Sequence, residues 1–181
     1  MDFANYSIRK LDIGEYIQKF DCGDDDLNDF ILNEAPLYRK SLLAVTYAIV
    51  SNTDPHQVLA FCSLANDRIS LSDFDEKSEF NRFRKHQQFP QSKRMKSYPA
   101  VKICRLGVDS TMKGQSVGRS FLDFIKYYFI ADNKTGCRFL TVDAYIDAIP
   151  FYEKNGFKPL NSDDEDSTYT RLLFFDLNEL I

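Results

Sequence analysis

The chain has 181 residues, 44% of them hydrophobic, and a net charge of −4, which is enough apolar material for one sizeable core and too acidic on average for a general nucleic-acid binder. No apolar run approaches the roughly 20 residues that cross a bilayer, and the N-terminal MDFANYSIRK lacks the basic and apolar regions of a signal peptide. A single domain over residues 1–181, cytoplasmic and with no membrane partner, is therefore expected. Four scattered cysteines without a C-x-x-C pair, and only two histidines, His56 and His86, argue against disulfides, against a metal site and against a serine–histidine triad.

Residues 6–11 alternate in polarity and read as a first strand. Phe20-Asp21-Cys22-Gly23 reads as a turn, and Asp24 or Asp25 then caps a helix with Leu27, Phe30 and Ile31 at amphipathic spacing. Pro36 ends or kinks that helix, and a further turn is expected over residues 37–40. Residues 42–50 and 58–65 are apolar strands joined by the turn chemistry of Asn52, Asp54 and Pro55, so they form a hairpin. Residues 72–97 break the pattern. They read as an excursion within the domain, helical around residues 79–88, with Phe74, Phe80, Phe83 and Phe89 as isolated anchors.

A strand at residues 100–108 then delivers the loop Lys113-Gly114-Gln115-Ser116-Val117-Gly118 onto a helix in which Val117, Phe121, Phe124, Ile125 and Tyr128 share a face. Residues 138–144 form the next strand, residues 149–157 a short helix stopped by Asn155-Gly156, and residues 169–176 a last strand. The order is that of an α/β fold, a mixed sheet with helices on its faces. A small-residue loop at a helix N-terminus leaves backbone N–H groups free for an anion such as phosphate, although a plain strand-to-helix turn reads the same way in isolation.

Charge is unevenly distributed. Asp21, Asp24, Asp25, Asp26 and Asp29 crowd one segment, and Asp163, Asp164, Glu165 and Asp166 another. Arg82, Arg84, Lys85, Lys93, Arg94 and Lys96 lie in a stretch free of acidic residues. The basic set suits a phosphate backbone, or equally forms a solvated face or pairs with the acidic segments, whereas the early acidic run suits a basic peptide.

This order, together with two motifs, resembles the GNAT N-acetyltransferase superfamily over nearly the whole chain. Residues 113–118 are similar to its Arg/Gln-x-x-Gly-x-Gly/Ala loop, with Lys113 in place of Arg/Gln and Ser116 in place of the central Gly. Ala148-Ile149-Pro150-Phe151-Tyr152-Glu153-Lys154-Asn155-Gly156-Phe157 resembles its A-x-x-F-Y-x-x-x-G-F signature. The opening F-D-C-G-D-D-D-L-N-D-F, residues 20–30, and the run Y-P-A-V-K-I-C-R-L-G-V, residues 98–108, look like one branch of that superfamily. The branch includes toxins that acetylate the α-amine of aminoacyl-tRNA and are neutralised by a small antitoxin.

The resemblance implies a mostly antiparallel central sheet of six to seven strands flanked by helices on both faces. It also implies acetyl-CoA as cosubstrate, attacked directly by a primary amine. Leu106, Gly107 and Val108 would pair with the pantetheine arm, and a bulge there would splay this strand from that at residues 140–144. Lys113, Gly114, Gln115, Ser116, Val117, Gly118 and Arg119 would take the pyrophosphate. The Val108 amide would face the thioester oxygen. Tyr152, whose ordinary pKa near 10 approaches that of an alkyl thiol, would protonate the departing thiolate. Without the motif Tyr152 reads as a packing residue. No general base stands out, Asp143 and Glu153 being available.

Arg82, Arg84, Lys85, Lys93 and Arg94 are the candidate contacts to charged tRNA, with an antitoxin as a further partner and a homodimer left open. A peptide or small-molecule amine acetyltransferase and a non-catalytic acyl-CoA-binding module stay open as alternatives. A Rossmann-type nucleotide enzyme fails because the loop lacks G-x-G-x-x-G and follows a hairpin.

Overall fold

A computed structural model describes residues 5–87, 89, 95–131, 135–161 and 169–181 of the chain. Its strands are β1 (Tyr6–Lys10), β2 (Val45–Ser51), β3 (Val58–Ser70), β4 (Ser97–Val108), β5 (Phe139–Tyr145), β6 (Lys158–Pro159) and β7 (Thr170–Asp176). Its α-helices are α1 (Asp25–Asp29), α2 (Ala35–Lys40), α3 (Lys77–His86), α4 (Val117–Ala131) and α5 (Ile149–Lys154). The strands make a seven-stranded sheet in the order β1-β2-β3-β4-β5-β7-β6, as the expected six to seven strands required. The pairings β1–β2, β2–β3, β5–β7 and β6–β7 are antiparallel. By compactness the chain divides into one unit of Met1–Asn66 and Lys102–Asp132 and a second of Asp67–Val101 and Asn133–Ile181, with β3 and β4 each contributing to both.

In the first unit the expected hairpin is present, with Tyr47 opposite Cys62, Ala48 opposite Phe61 and a bulge at Ile49/Val50. β2 is buried at almost every position, which explains why it reads as a continuous apolar run rather than an alternation. It begins later than the hydrophobic run predicts. Leu42 sits outside it, with φ +57° and 82% of its surface exposed.

Pro36 leaves the helix unbroken by a specific route. Between α1 and α2 the chain makes one wide π turn, Phe30–Glu34, in which the Ala35 N–H donates to the Phe30 carbonyl. Pro36 follows in the first turn of α2, directly behind that wide turn, and the chain stays helical through it. The wide turn lets Phe30, Ile31 and Ala35 all join the core of Leu11, Phe20 and Phe61. Arg39, 3% exposed, donates from Nε to the Asp12 carbonyl at 2.9 Å and from Nη2 to the Glu15 carbonyl, locking α2 to the segment after β1.

In the second unit the excursion proves to be core-forming. Its helix α3 starts at Lys77, behind a capping box between Glu76 and Glu79. Phe74, Phe80 and Phe83 pack with Ile69, Tyr98, Phe139 and Phe174. Phe89 stacks on Tyr98 with ring centroids 3.8 Å apart. The isolated phenylalanines are therefore anchors because they are spaced to reach one cluster. The two-residue edge strand β6 was not expected, and its Pro159 is of the kind that only an edge tolerates.

Candidate active site

The loop between β4 and α4 lies in the first unit. Its side chains Lys113, Gln115 and Ser116 are exposed with Gly114, while Met112 and Val117 on either side are buried and act as pegs. Gly114 has φ +78° and Ser116 φ +58°. Two left-handed residues so close together turn the chain sharply onto α4. Ser120 N–H closes the first helical bond to the Ser116 carbonyl at 3.0 Å. The N–H groups of Val117, Gly118 and Arg119 precede that bond and have no helical carbonyl behind them. The partial positive charge of the helix end therefore coincides with a cluster of backbone donors, which is the arrangement that binds phosphate. Arg119 is exposed, with Nε 3.9 Å from Asp123, a weak pair that leaves its charge in solvent.

Upstream, Leu106 and Val108 are half-buried and Gly107 is buried. A Cβ at Gly107 would lie 2.6 Å from Phe61 Cε1 and 3.3 Å from Phe20 Cε1, so glycine is required for the two rings to pack on the strand. The turn of residues 21–28 adjoins the loop. Ser110 N–H donates to the Asp21 carbonyl at 2.8 Å, and a Cβ at Gly23 would lie 3.4 Å from Lys113 Nζ. Gly23 N–H, Asn28 and the Lys113 ammonium hold the exposed Asp21 carboxyl below the usual carboxylate range. Three acids of the early cluster thus have structural partners: Asp21, Asp24 as the cap of α1, and Asp29, which accepts from Asn33 at 2.6 Å.

Tyr152 lies in the second unit, on α5, 6% exposed. The helix ends in a Schellman motif: Phe157 N–H donates to the Tyr152 carbonyl at 3.1 Å and Gly156 N–H to the Glu153 carbonyl at 2.9 Å, with Gly156 at φ +85°. The Phe157 and Tyr152 rings meet edge to face at 5.3 Å, the apolar contact that accompanies this motif. A Cβ at Gly156 would sit 2.9 Å from the Phe175 ring. The Gly-Phe end of the motif is thereby explained as the means by which the ring of Tyr152 is held.

Of the basic candidates, Arg82 and Lys85 are exposed on α3. Arg84 is turned inward, donating from Nε to the Tyr98 hydroxyl at 2.9 Å with its guanidinium over the Phe80 ring. Arg82 and His86 line a cavity of about 340 Å³ with Lys158, Asn161 and an apolar floor of Phe74, Phe83 and Phe174. Lys93 and Arg94, and the acidic run at residues 163–166, lie outside the described residues. Among the described residues no group of three or more His, Cys, Asp or Glu is placed to hold a metal ion, and no helix is long and apolar enough to cross a membrane.

One loop residue escaped the sequence reading. Asp109 accepts Thr111 N–H at 3.0 Å and Thr111 O–H at 2.6 Å, and so shapes the start of the loop. The Asp-x-Thr spacing is a turn signal that could have revealed it.

Residues 88–170 match the family model for the acetyltransferase (GNAT) domain. No curated protein matches the sequence. The fold is similar to that of AtaT complexed with acetyl-methionyl-tRNAfMet, with TM-score 0.73, 24% identity and coverage of 97% of this chain and 97% of that one. It is similar to a tyrosine-to-phenylalanine mutant of KacT, with TM-score 0.76, 21% identity and coverage of 98% and 99%. It is also similar to a tyrosine-to-phenylalanine mutant of the AtaT toxin bound to the C-terminus of the antitoxin AtaR and acetyl-CoA, with TM-score 0.72, 23% identity and coverage of 97% and 96%. At these identities the likeness is one of fold.

Proposed function

We propose that this chain, which has the GNAT fold and matches the GNAT acetyltransferase domain over residues 88–170, is an acetyl-CoA-dependent N-acetyltransferase. The observation that carries the reading is the loop onto α4, where left-handed Gly114 and Ser116 leave the N–H groups of Val117, Gly118 and Arg119 for a pyrophosphate. In this reading an amine attacks the thioester carbon, the C–S bond breaks, and the acetyl group passes to nitrogen. The Val108 amide stabilises the oxygen on which charge develops, the backbone of Leu106 and Gly107 pairs with the pantetheine arm, and Lys113 and Gln115 flank the pyrophosphate. The nitrogen loses its proton to water, and Tyr152 gives its proton to the departing thiolate.

The acceptor we propose is the α-amine of a charged tRNA, and the protein a toxin restrained by an antitoxin. AtaT, with the same fold, was solved with acetyl-methionyl-tRNAfMet and with the C-terminus of AtaR, which supports that choice. Exposed Arg82 and Lys85 supply the charge for a phosphate backbone.

The test follows free thiol and labelled acetyl transfer from acetyl-CoA to charged tRNAs, N-terminal peptides and small amines. Transfer to charged tRNA is expected, and Tyr152→Phe should lower turnover about 10- to 100-fold while acetyl-CoA still binds, the scale of losing a general acid. A fully active variant would remove that role from Tyr152. Absence of transfer to any of these acceptors would overturn the transferase reading.

A further inference from the structure

We propose that Asp109 is a positioning residue for the cofactor loop, acting through Thr111 and the Asp21 turn to hold the loop in its anion-binding pose before any ligand arrives. The inference rests on the acetyl-CoA reading of the site. Asp109 follows the last residue of β4, and its own N–H is tied to the Leu59 carbonyl at 2.9 Å, so its side chain projects from a fixed point. One carboxylate oxygen, Oδ1, accepts both the N–H and the O–H of Thr111, at 3.0 and 2.6 Å. The other, Oδ2, accepts the Asp21 N–H at 3.4 Å. A bond in the opposite sense, Ser110 N–H to the Asp21 carbonyl at 2.8 Å, completes a two-way clasp between segments far apart in sequence.

Both ends of the clasp are themselves braced. Asp21 Oδ1 accepts Gly23 N–H at 2.8 Å and Asn28 Nδ2 at 3.0 Å, and Asn28 Oδ1 accepts Cys22 N–H at 2.9 Å. On the loop side the restraint is passed forward. The Thr111 carbonyl accepts Gln115 Nε2 at 3.2 Å, one residue before left-handed Ser116. Asp109 therefore reaches the exposed part of the loop through Thr111 without standing among the pyrophosphate donors.

A loop that is already ordered spares the ligand the entropy of ordering it, so the clasp strengthens binding and leaves the chemical step alone. Both carboxylates of the clasp are engaged by donors, Asp21 by Gly23 N–H and Asn28, Asp109 by Thr111 and the Asp21 N–H, and the Lys113 ammonium lies over Gly23 beside Asp21.

The experiment measures acetyl-CoA affinity by calorimetry, KM and kcat with charged tRNA, and the unfolding midpoint, for the wild type, Asp109→Ala, Asp109→Asn and Thr111→Val. Asp109→Ala should raise the acetyl-CoA Kd and KM about tenfold, the scale of losing hydrogen bonds to a charged group, with kcat changed less than about twofold. Asp109→Asn keeps an acceptor for Thr111 and should recover most of the loss. Thr111→Val should weaken binding a few-fold, and these two variants carry the test if Asp109→Ala does not fold. Affinity equal to wild type in Asp109→Ala, or a joint fall in kcat, affinity and midpoint that asparagine does not rescue, would overturn the inference and leave the functional reading intact. A wild-type protein that does not bind acetyl-CoA would overturn the functional reading and this inference with it.

Discussion

Ser116 is the one loop position that departs from the small-residue pattern in a costly place. Its φ of +58° lies where a Cβ crowds the following carbonyl, a penalty of about 1–2 kcal/mol for an L-residue. Glycine removes that penalty but brings about 0.5–1 kcal/mol of unfolded-state entropy. Ser116→Gly should therefore raise stability in urea by up to about 1.5 kcal/mol, whereas the β-branched Ser116→Val should lower it by at least about 1 kcal/mol. Equal stability of the two variants would mean that the backbone there is not held in the left-handed region. Tyr152 illustrates the opposite case, a residue whose surroundings obey every local rule. Its motif is a helix stop whose glycine is left-handed and whose phenylalanine packs back on the tyrosine.

Helix α2 depends on a clamp that can be read by titration. Arg9 donates to both Glu15 oxygens, at 2.9 and 2.5 Å, while the Glu15 carbonyl accepts from Arg39. The hydrogen bond from Arg9 is the largest cause holding the Glu15 carboxyl below its ordinary value of 4.5. A depressed carboxyl stabilises the fold above the unfolded value and loses that contribution as pH falls through the folded one. With 33% and 22% of the two side chains exposed, solvent screening limits the pair to about 1 kcal/mol. Glu15→Gln should therefore cost about 1 kcal/mol at pH ~7. The gap to wild type in denaturant titrations should close as the pH is lowered below 4.5 and stay open on the alkaline side. A gap independent of acid would assign the stabilisation to shape rather than charge.

Across the whole molecule the average charge of −4 conceals a local surplus of exposed cations on α3. The structure separates these cations by job: Arg84 supports Tyr98, while Arg82 and Lys85 face solvent. Reversing Arg82 and Lys85 together to glutamate should cut acetylation of charged tRNA at least about tenfold and flatten its salt dependence, since removing one cation–phosphate pairing lowers the logarithmic slope by about 0.7–0.9. Stabilisation by acetyl-CoA in a thermal melt should be unchanged. Activity that was unaffected and insensitive to salt would exclude a nucleic-acid acceptor.

The element order, the hairpin, the loop onto α4 and the stop after α5 were legible in the sequence because each depends on local periodicity and turn chemistry, which glycine, proline and apolar spacing encode directly. The role of the phenylalanines in residues 72–97 was not, because their partners, Tyr98, Phe139 and Phe174, come from other strands. Arg84 and Arg82 are indistinguishable as letters, and only the helix phase and the position of Tyr98 send one inward. The wide turn ahead of Pro36 depends on where Phe30 and Ile31 must point, which the core decides. The same holds for the acidic segment of residues 21–29. Within it Asp21 grips the loop, because the Asp109 carboxylate and the Ser110 N–H, far away in sequence, arrive beside its backbone.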